Sequence, residues 1–315
     1  MTDYAELTTR EAFGKILTEL GGQDSRVVVL DADLSRSTMT KYFAQAHPQR
    51  FIQCGLAEQN MISIAAGLAT CGKIPFASTF AVFASSRCFD QVRMCVAQPK
   101  TNVKVVSTHG GITVGEDGSS HQAIEDIALY CSLPNFNIVV PADSIETVEA
   151  IKAAASTEGP FYVRLGRSKT PVVYTSGCSF KLGRADTLRE GNDAAIIAIG
   201  IMVYKALEAS ELLEKSGVSC RVINMSSIKP ADRQAIEAAA AETGAIVTAE
   251  EHLLHGGLGS IVAQVLASRS PAPLASLGIK DTYCKSGKPD ELLEANGLTV
   301  GDIVDAVKSV LARKR

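Results

Sequence analysis

The chain has 315 residues, with 31 Lys and Arg against 34 Asp and Glu, for a net charge of −3. That balance excludes a global electrostatic pull toward nucleic acid or an anionic membrane. Apolar content of 46% and charged content of 21% are those of an ordinary globular protein, and the length suffices for two domains with real cores.

The opening MTDYAELTTR is polar and lacks the basic and apolar regions of a signal peptide. No apolar run reaches membrane-spanning length uninterrupted. A first helix is expected over 8–20, with Arg10 at its start, where a cation opposes the helix dipole and so hints at another task. RVVVLDAD follows as a buried strand, since its apolar run is continuous rather than alternating. GLAEQNMISIAAGLATCG then reads as a glycine-bounded helix over 55–71. At 3.6 residues per turn, Glu58 lines up with Ile62, Ala65 and Ala69. A carboxylate on an apolar stripe is costly unless something pairs with it.

A helix is predicted over 80–97, putting Phe80 and Phe83 on one face; that spacing by itself points to core packing. VKVVSTHGG is a strand, and the glycine-rich GGITVGEDG after it lets the backbone turn sharply. Ser119 with Gln122 fits a capping box opening a helix over 119–131, which puts His121 in its first turn. His109, Asp117 and His121 follow a strand's carboxyl end, where open α/β sheets keep their sites. Two histidines and an aspartate there can exchange protons with a hydroxylated substrate; a solvated loop explains them equally well. NIVVPAD, a helix over 143–156 and FYVRLGR complete the series, the last ending in Arg164, Arg167 and Lys169, types suited to phosphate.

Strands alternating with helices predict an α/β fold with a parallel sheet. Gly, Ser and charge enrich the text around 176–192, which is read as a linker between domains at 1–175 and 193–315. The second domain repeats the pattern: strands AAIIAIG, CRVINM and AIVTAEE and one near 275, with helices over 202–215, 231–241, 257–268 and 299–312. Two consecutive open, mostly parallel α/β domains are therefore expected. His252 and His255 precede a glycine cluster that reads as a helix start, and no metal site is expected on this chain. Eight scattered cysteines without a CxxC pair suggest reduced, mostly buried thiols in a cytoplasmic protein.

Residues and spacing alone reach an enzyme handling a polar, anionic substrate. Four stretches go further. CGLAEQNMISIAAGLA, PFASTFAVFASSRCFDQVR, THGGITVGEDGSSHQAIEDIA and YVRLGRSKTPVVY together resemble transketolase, and the likeness continues through IKPADRQAI, AEEHLLHGGLGS and SGKPDELL. The resemblance implies a thiamin diphosphate-dependent enzyme that transfers a two-carbon ketol unit. It implies that Glu58 bonds to N1′ of the cofactor's aminopyrimidine, sharing a proton with it, and that Phe80 and Phe83 form the aromatic pocket with Phe89 and Arg87 nearby. It places His109, Asp117 and His121 at the sugar hydroxyls, and Arg10, Ser37 and Arg167 at the sugar phosphate. The third aromatic found in some transketolases is missing here, where the text reads ASSR.

The resemblance also carries an absence. The diphosphate-binding domain with its GDG motif and following asparagine is not in this text, so the chain looks like the C-terminal half of a split transketolase. The diphosphate and Mg²⁺ would lie on an N-terminal partner subunit in an α₂β₂ assembly, with this chain alone inactive. Three rivals stay open: the β subunit of a 2-oxo-acid dehydrogenase, a deoxyxylulose-phosphate synthase-like enzyme, and a non-catalytic scaffold subunit.

Overall fold

The computed structural model describes residues 3–175 and 177–314; Ser176, the first residue of the expected linker, lies outside them. Helix α1 (Thr9–Gln23) starts on a capping box in which Thr8 and Glu11 satisfy each other's backbone N–H. It leads to β1 (Val27–Asp31), buried at every position. Next come the short α2 (Ser35–Thr38) and α3 (Lys41–Ala46), edge strand β2 (Phe51–Gln53), α4 (Glu58–Thr70) and β3 (Ile74–Phe80). The chain then forms two π-helical turns, Phe83–Arg87 and Val92–Ala97, around α5 (Phe89–Gln91). Strand β4 (Lys104–Thr108), α6 (Asp126–Cys131), β5 (Asn137–Val139), α7 (Ser144–Ser156) and β6 (Phe161–Arg164) finish the first half.

The second half runs β7 (Asp186–Arg189), β8 (Ala194–Ala198), α8 (Met202–Glu214), β9 (Cys220–Asn224), β10 (Ser227–Lys229) and α9 (Arg233–Thr243). It ends with β11 (Ile246–Leu253), α10 (Leu258–Ser268), β12 (Leu274–Ile279), α11 (Pro289–Ala295) and α12 (Val300–Leu311). A seven-stranded sheet has the order β10-β5-β6-β4-β3-β1-β2, and a five-stranded sheet the order β12-β11-β8-β9-β7. All pairings are parallel except those of the edge strands β10 and β7. This is the expected pair of mostly parallel α/β sheets. One detail departs from a simple serial layout: β10, from the second half, closes the edge of the first sheet beside β5.

Two expected elements are corrected. The helix expected over 80–97 begins as a strand: Phe80 is the last residue of β3, whose residues carry no continuous apolar run. Phe80 and Phe83 therefore meet across a strand-to-helix corner rather than along one helix. The helix expected over 119–131 is formed only from Asp126 onward, so the Ser119–Gln122 cap is not made and His121 lies in a turn. Long-range bonds made by its backbone carbonyls, with one from the Gln122 side chain, explain this. The Ala123 carbonyl accepts from Gly111 N and from Arg164 Nη2, the Ile124 carbonyl accepts from Leu253 N, and Gln122 Nε2 donates to the Lys285 carbonyl at 3.0 Å. Backbone groups used this way cannot also close helical turns.

The same segment is tied to both sheets by buried polar groups. Arg164 Nε donates to Asp126 Oδ2 at 2.8 Å, and Tyr162 Oη donates to the same oxygen at 2.6 Å. Arg164 Nη2 also reaches the Glu251 carbonyl, and Thr113 N donates to the Glu251 carboxylate. Gly111, at φ +81°, packs against that carboxyl group, where a Cβ would overlap it. Glu250 takes N–H bonds from Leu258 and Gly259 at the start of α10, and burial pushes its carboxyl up to about 7. Arg164, suggested by sequence as a phosphate ligand, is thus a structural cation. His252 is buried beside α6, with Ala128 N donating to its Nε2 at 3.3 Å.

Candidate active site

Strands β1, β3, β4 and β6 are neighbours in the sheet, and their carboxyl ends open on one side. The loop after β1 carries Ser37 and is fixed from within. Asp31, fully buried, accepts from Thr38 Oγ1, Thr40 Oγ1 and Leu34 N at 2.6–2.9 Å. Arg10, at the start of α1, donates from Nη1 to the Ser37 carbonyl at 3.0 Å. The acid closing VVVLD is the signal for this anchor that the sequence carries.

Register between β3 and β4 pairs Phe80 with Thr108, so His109 is the first residue beyond the pair. Its ring stacks on Phe80 with centroids 3.8 Å apart, and Thr108 Oγ1 lies 2.8 Å from its Nδ1. His109 takes a left-handed φ of +62°, uncommon outside glycine. Phe83 stacks on Phe80 at 5.9 Å, and His121 meets Phe83 edge-on at 5.4 Å. Four rings from three segments thus form one cluster. Burial, then the positive charges of Arg10 and Arg167 and the neighbouring His121, push His109 down to about 3. It is neutral at ordinary pH, able to donate or accept a hydrogen bond but not to bring a charge.

Arg167, in the loop after β6, bonds the Val114 carbonyl and lies 3.5 Å from the Glu116 carboxylate and 3.7 Å from that of Asp117. Asp117 is therefore drawn toward Arg167 within the glycine-rich loop. Glu58 is the first residue of α4 and is 1% exposed. Its two oxygens accept from Arg87 Nη1 at 2.9 and 3.1 Å. The Arg87 guanidinium lies 4.1 Å above the Phe83 ring. The partner required by the apolar stripe is, within this chain, Arg87. Phe89 is not in the cluster: it packs on the core and lines a separate cleft of about 390 Å³ with Arg93, Leu133 and Pro134. The resemblance implies a place for Phe89 near the pocket; in the structure it begins α5, after the π-helical turn ends at Arg87 and Cys88 intervenes.

The family model for the transketolase pyrimidine binding domain matches residues 5–172, and that for the transketolase C-terminal domain matches residues 183–303. The chain belongs to the transketolase family. The transketolase C-terminal section of Methanocaldococcus jannaschii is 47% identical over 292 residues, 92% of each chain. A protein of a Clostridium species named 6-deoxy-6-sulfo-D-fructose transketolase subunit SqwH is 41% identical, covering 97% of this chain and 95% of its own length. The solved structure of a split gene transketolase, described as an inactive beta4 tetramer, superposes with a TM-score of 0.92 at 51% identity, over 98% of this chain and all of that one. Against the transketolase of Homo sapiens, 36% identical, the chain spans about half the relative's length.

These matches give the transketolase-family chain a pyrimidine-binding domain of a thiamin diphosphate-dependent transferase family. Among the described residues no helix is long and apolar enough to cross a membrane, and no group of three or more His, Cys, Asp or Glu side chains is placed to hold a metal ion. Three cysteines are buried, four are half-buried and Cys71 is exposed, all as free thiols.

Proposed function

We propose that this chain is the C-terminal subunit of a split transketolase, transferring a two-carbon ketol unit from a ketose to an aldose, each with an anionic tail. A partner chain would supply the diphosphate and Mg²⁺ site, in an α₂β₂ assembly in the cytoplasm. One observation carries the reading: a carboxylate withdrawn from water, already bonded to a planar cation that lies on an aromatic ring. An aminopyrimidine has the same needs, a hydrogen-bond partner for N1′ and an apolar face, so the residues present fit the group.

When bound, thiamin diphosphate would supply a thiazolium carbon that accepts the two-carbon unit and an electron sink for it. Glu58 would hold the proton at N1′ in a site where burial strengthens the bond. Phe80 and Phe83 would exclude water from the pyrimidine. His109, held neutral, would hydrogen-bond a substrate hydroxyl without adding charge, His121 would reach another, and Asp117 would accept from one. Arg10 and Arg167 would bind the anionic tail, with Ser37 holding Arg10 in place through its carbonyl.

The test is reconstitution with a chain carrying the diphosphate-binding domain. Calorimetry with thiamin diphosphate and Mg²⁺ is expected to show binding only for the pair, and Glu58→Gln is expected to lower ketol transfer at least 10²-fold. Transfer from pyruvate to a lipoyl domain instead would move the protein to the oxo-acid dehydrogenases. Cofactor binding indifferent to Glu58→Gln would support a scaffold role.

A further inference from the structure

We infer that Arg87 is a placeholder: it occupies the aminopyrimidine subsite of the partner-free chain and must swing out for the cofactor to enter. The inference rests on the reading that Glu58 and Phe83 hold that ring. Arg87 makes both contacts the ring would make. Its Nη1 donates to both oxygens of Glu58, and its guanidinium covers the face of Phe83 at 4.1 Å. Two planar groups cannot share one carboxylate edge and one ring face.

The two partners differ in freedom. Glu58 is fixed at the first position of α4 with 1% of its side chain exposed, whereas the Arg87 side chain is 48% exposed. Arg87 also ends the π-helical turn Phe83–Arg87, so the ring and the cation it covers come from the same turn. The carboxylate stays and the cation is the part able to leave. Leaving is an exchange: the buried carboxylate gives up one charge-assisted partner and gains another, and is never left bare. The closed form lowers cofactor affinity by the fraction of chains in which Arg87 is still in place.

The experiment uses the chain reconstituted with its diphosphate-domain partner, titrated with thiamin diphosphate in excess Mg²⁺ by calorimetry, with entry followed by stopped-flow near-ultraviolet circular dichroism. Arg87→Ala and Arg87→Gln are expected to bind about five- to tenfold tighter and to load faster, an effect that a merely structural arginine would not give. Arg87→Lys, retaining charge without the planar fork, is expected to fall between them and the natural chain. Equal or weaker binding by the Ala and Gln variants overturns the placeholder. Glu58→Gln, run alongside, is expected to weaken binding at least tenfold. If it does not, the reading of the site fails; if it does while the Arg87 variants bind no tighter, only the placeholder fails. Should the variants not fold, the structure of the natural complex loaded with thiamin diphosphate decides. A guanidinium still bonded to Glu58 beside the seated cofactor overturns the inference.

Discussion

Asp126→Asn offers a strong test of how the site's loop is held. Asp126 is fully buried, and its Oδ2 receives both Arg164 Nε at 2.8 Å and the Tyr162 hydroxyl at 2.6 Å. The substitution keeps the shape but leaves the Arg164 guanidinium buried beside a neutral acceptor. Breaking a buried pair from one side costs about 3–5 kcal/mol. With an unfolding entropy of about 2.1 cal/mol/K per residue, a chain of 315 residues changes by roughly 0.66 kcal/mol per degree, so about 4 kcal/mol lowers Tm by about 6 °C. Differential scanning calorimetry at pH 7.5 measures it. The second variant isolates the cause. Asp126→Asn with Arg164→Met removes the stranded charge but also the bonds of Arg164 to the Ala123 and Glu251 carbonyls, and is expected to recover part of the loss. A single variant within about 2 °C of the natural protein, or a double variant no better than the single one, would refute the reasoning.

Other predictions concern binding and pH. Phe83→Ala is expected to weaken thiamin diphosphate binding to the reconstituted pair about tenfold, while Phe89→Ala stays within about twofold; calorimetry reads both. Arg167→Ala is expected to raise KM for an anionic ketose about tenfold or more, with a much smaller change for a ketose lacking the anionic tail, read from steady-state rates. Burial pushes the Glu146 carboxyl up to about 7, against the bonds it accepts from Ala142 N and Asn224 Nδ2. Folded Glu146 therefore holds its proton where the unfolded chain has lost it. The associated stability is fully present below about 4.5 and is lost as pH rises through about 7, a change of about 3 kcal/mol. Urea unfolding of Glu146→Gln between pH 4.5 and 8 is expected to show a flatter pH dependence than the natural chain; an unchanged slope would count against this assignment.

Periodicity made much of the fold legible because buried parallel strands write themselves as continuous apolar runs. RVVVLDAD, VKVVSTHGG and AAIIAIG became β1, β4 and β8. Where the run is interrupted the signal fades. IPFASTF has a proline one residue in and mixes Ser and Thr with apolar residues, so β3 carries no clear strand signal and its last residue, Phe80, reads as the start of a helix with Phe83. The three- and four-residue edge strands β2, β7 and β10 are too short for any period. The 119–131 segment had a good local helix signature and lost to bonds made with Gly111, Arg164 and Leu253, distant in sequence. Likewise Glu58, Phe80, Phe83, His109 and His121 were visible as types in a pattern, but the Arg87 contact was not. It depends on where a π-helical turn aims one side chain.

The charge layout ties the ends of the site together. At one end a buried carboxylate and an aromatic face suit a planar, protonatable ring. At the other, the positive charges of Arg10 and Arg167 act on His109, whose ring stacks on Phe80. Their field helps hold His109 neutral. An anion seated on the two arginines would cancel two of the causes that lower His109, leaving burial and His121 to act alone, and its affinity for a proton would rise. Linkage then requires the reverse: protonating His109 must tighten anion binding. If Arg10 and Arg167 hold the anionic tail as proposed, substrate charge and His109 protonation form one coupled equilibrium, and His109→Asn is expected to remove the part of the pH dependence of anion affinity that His109 supplies.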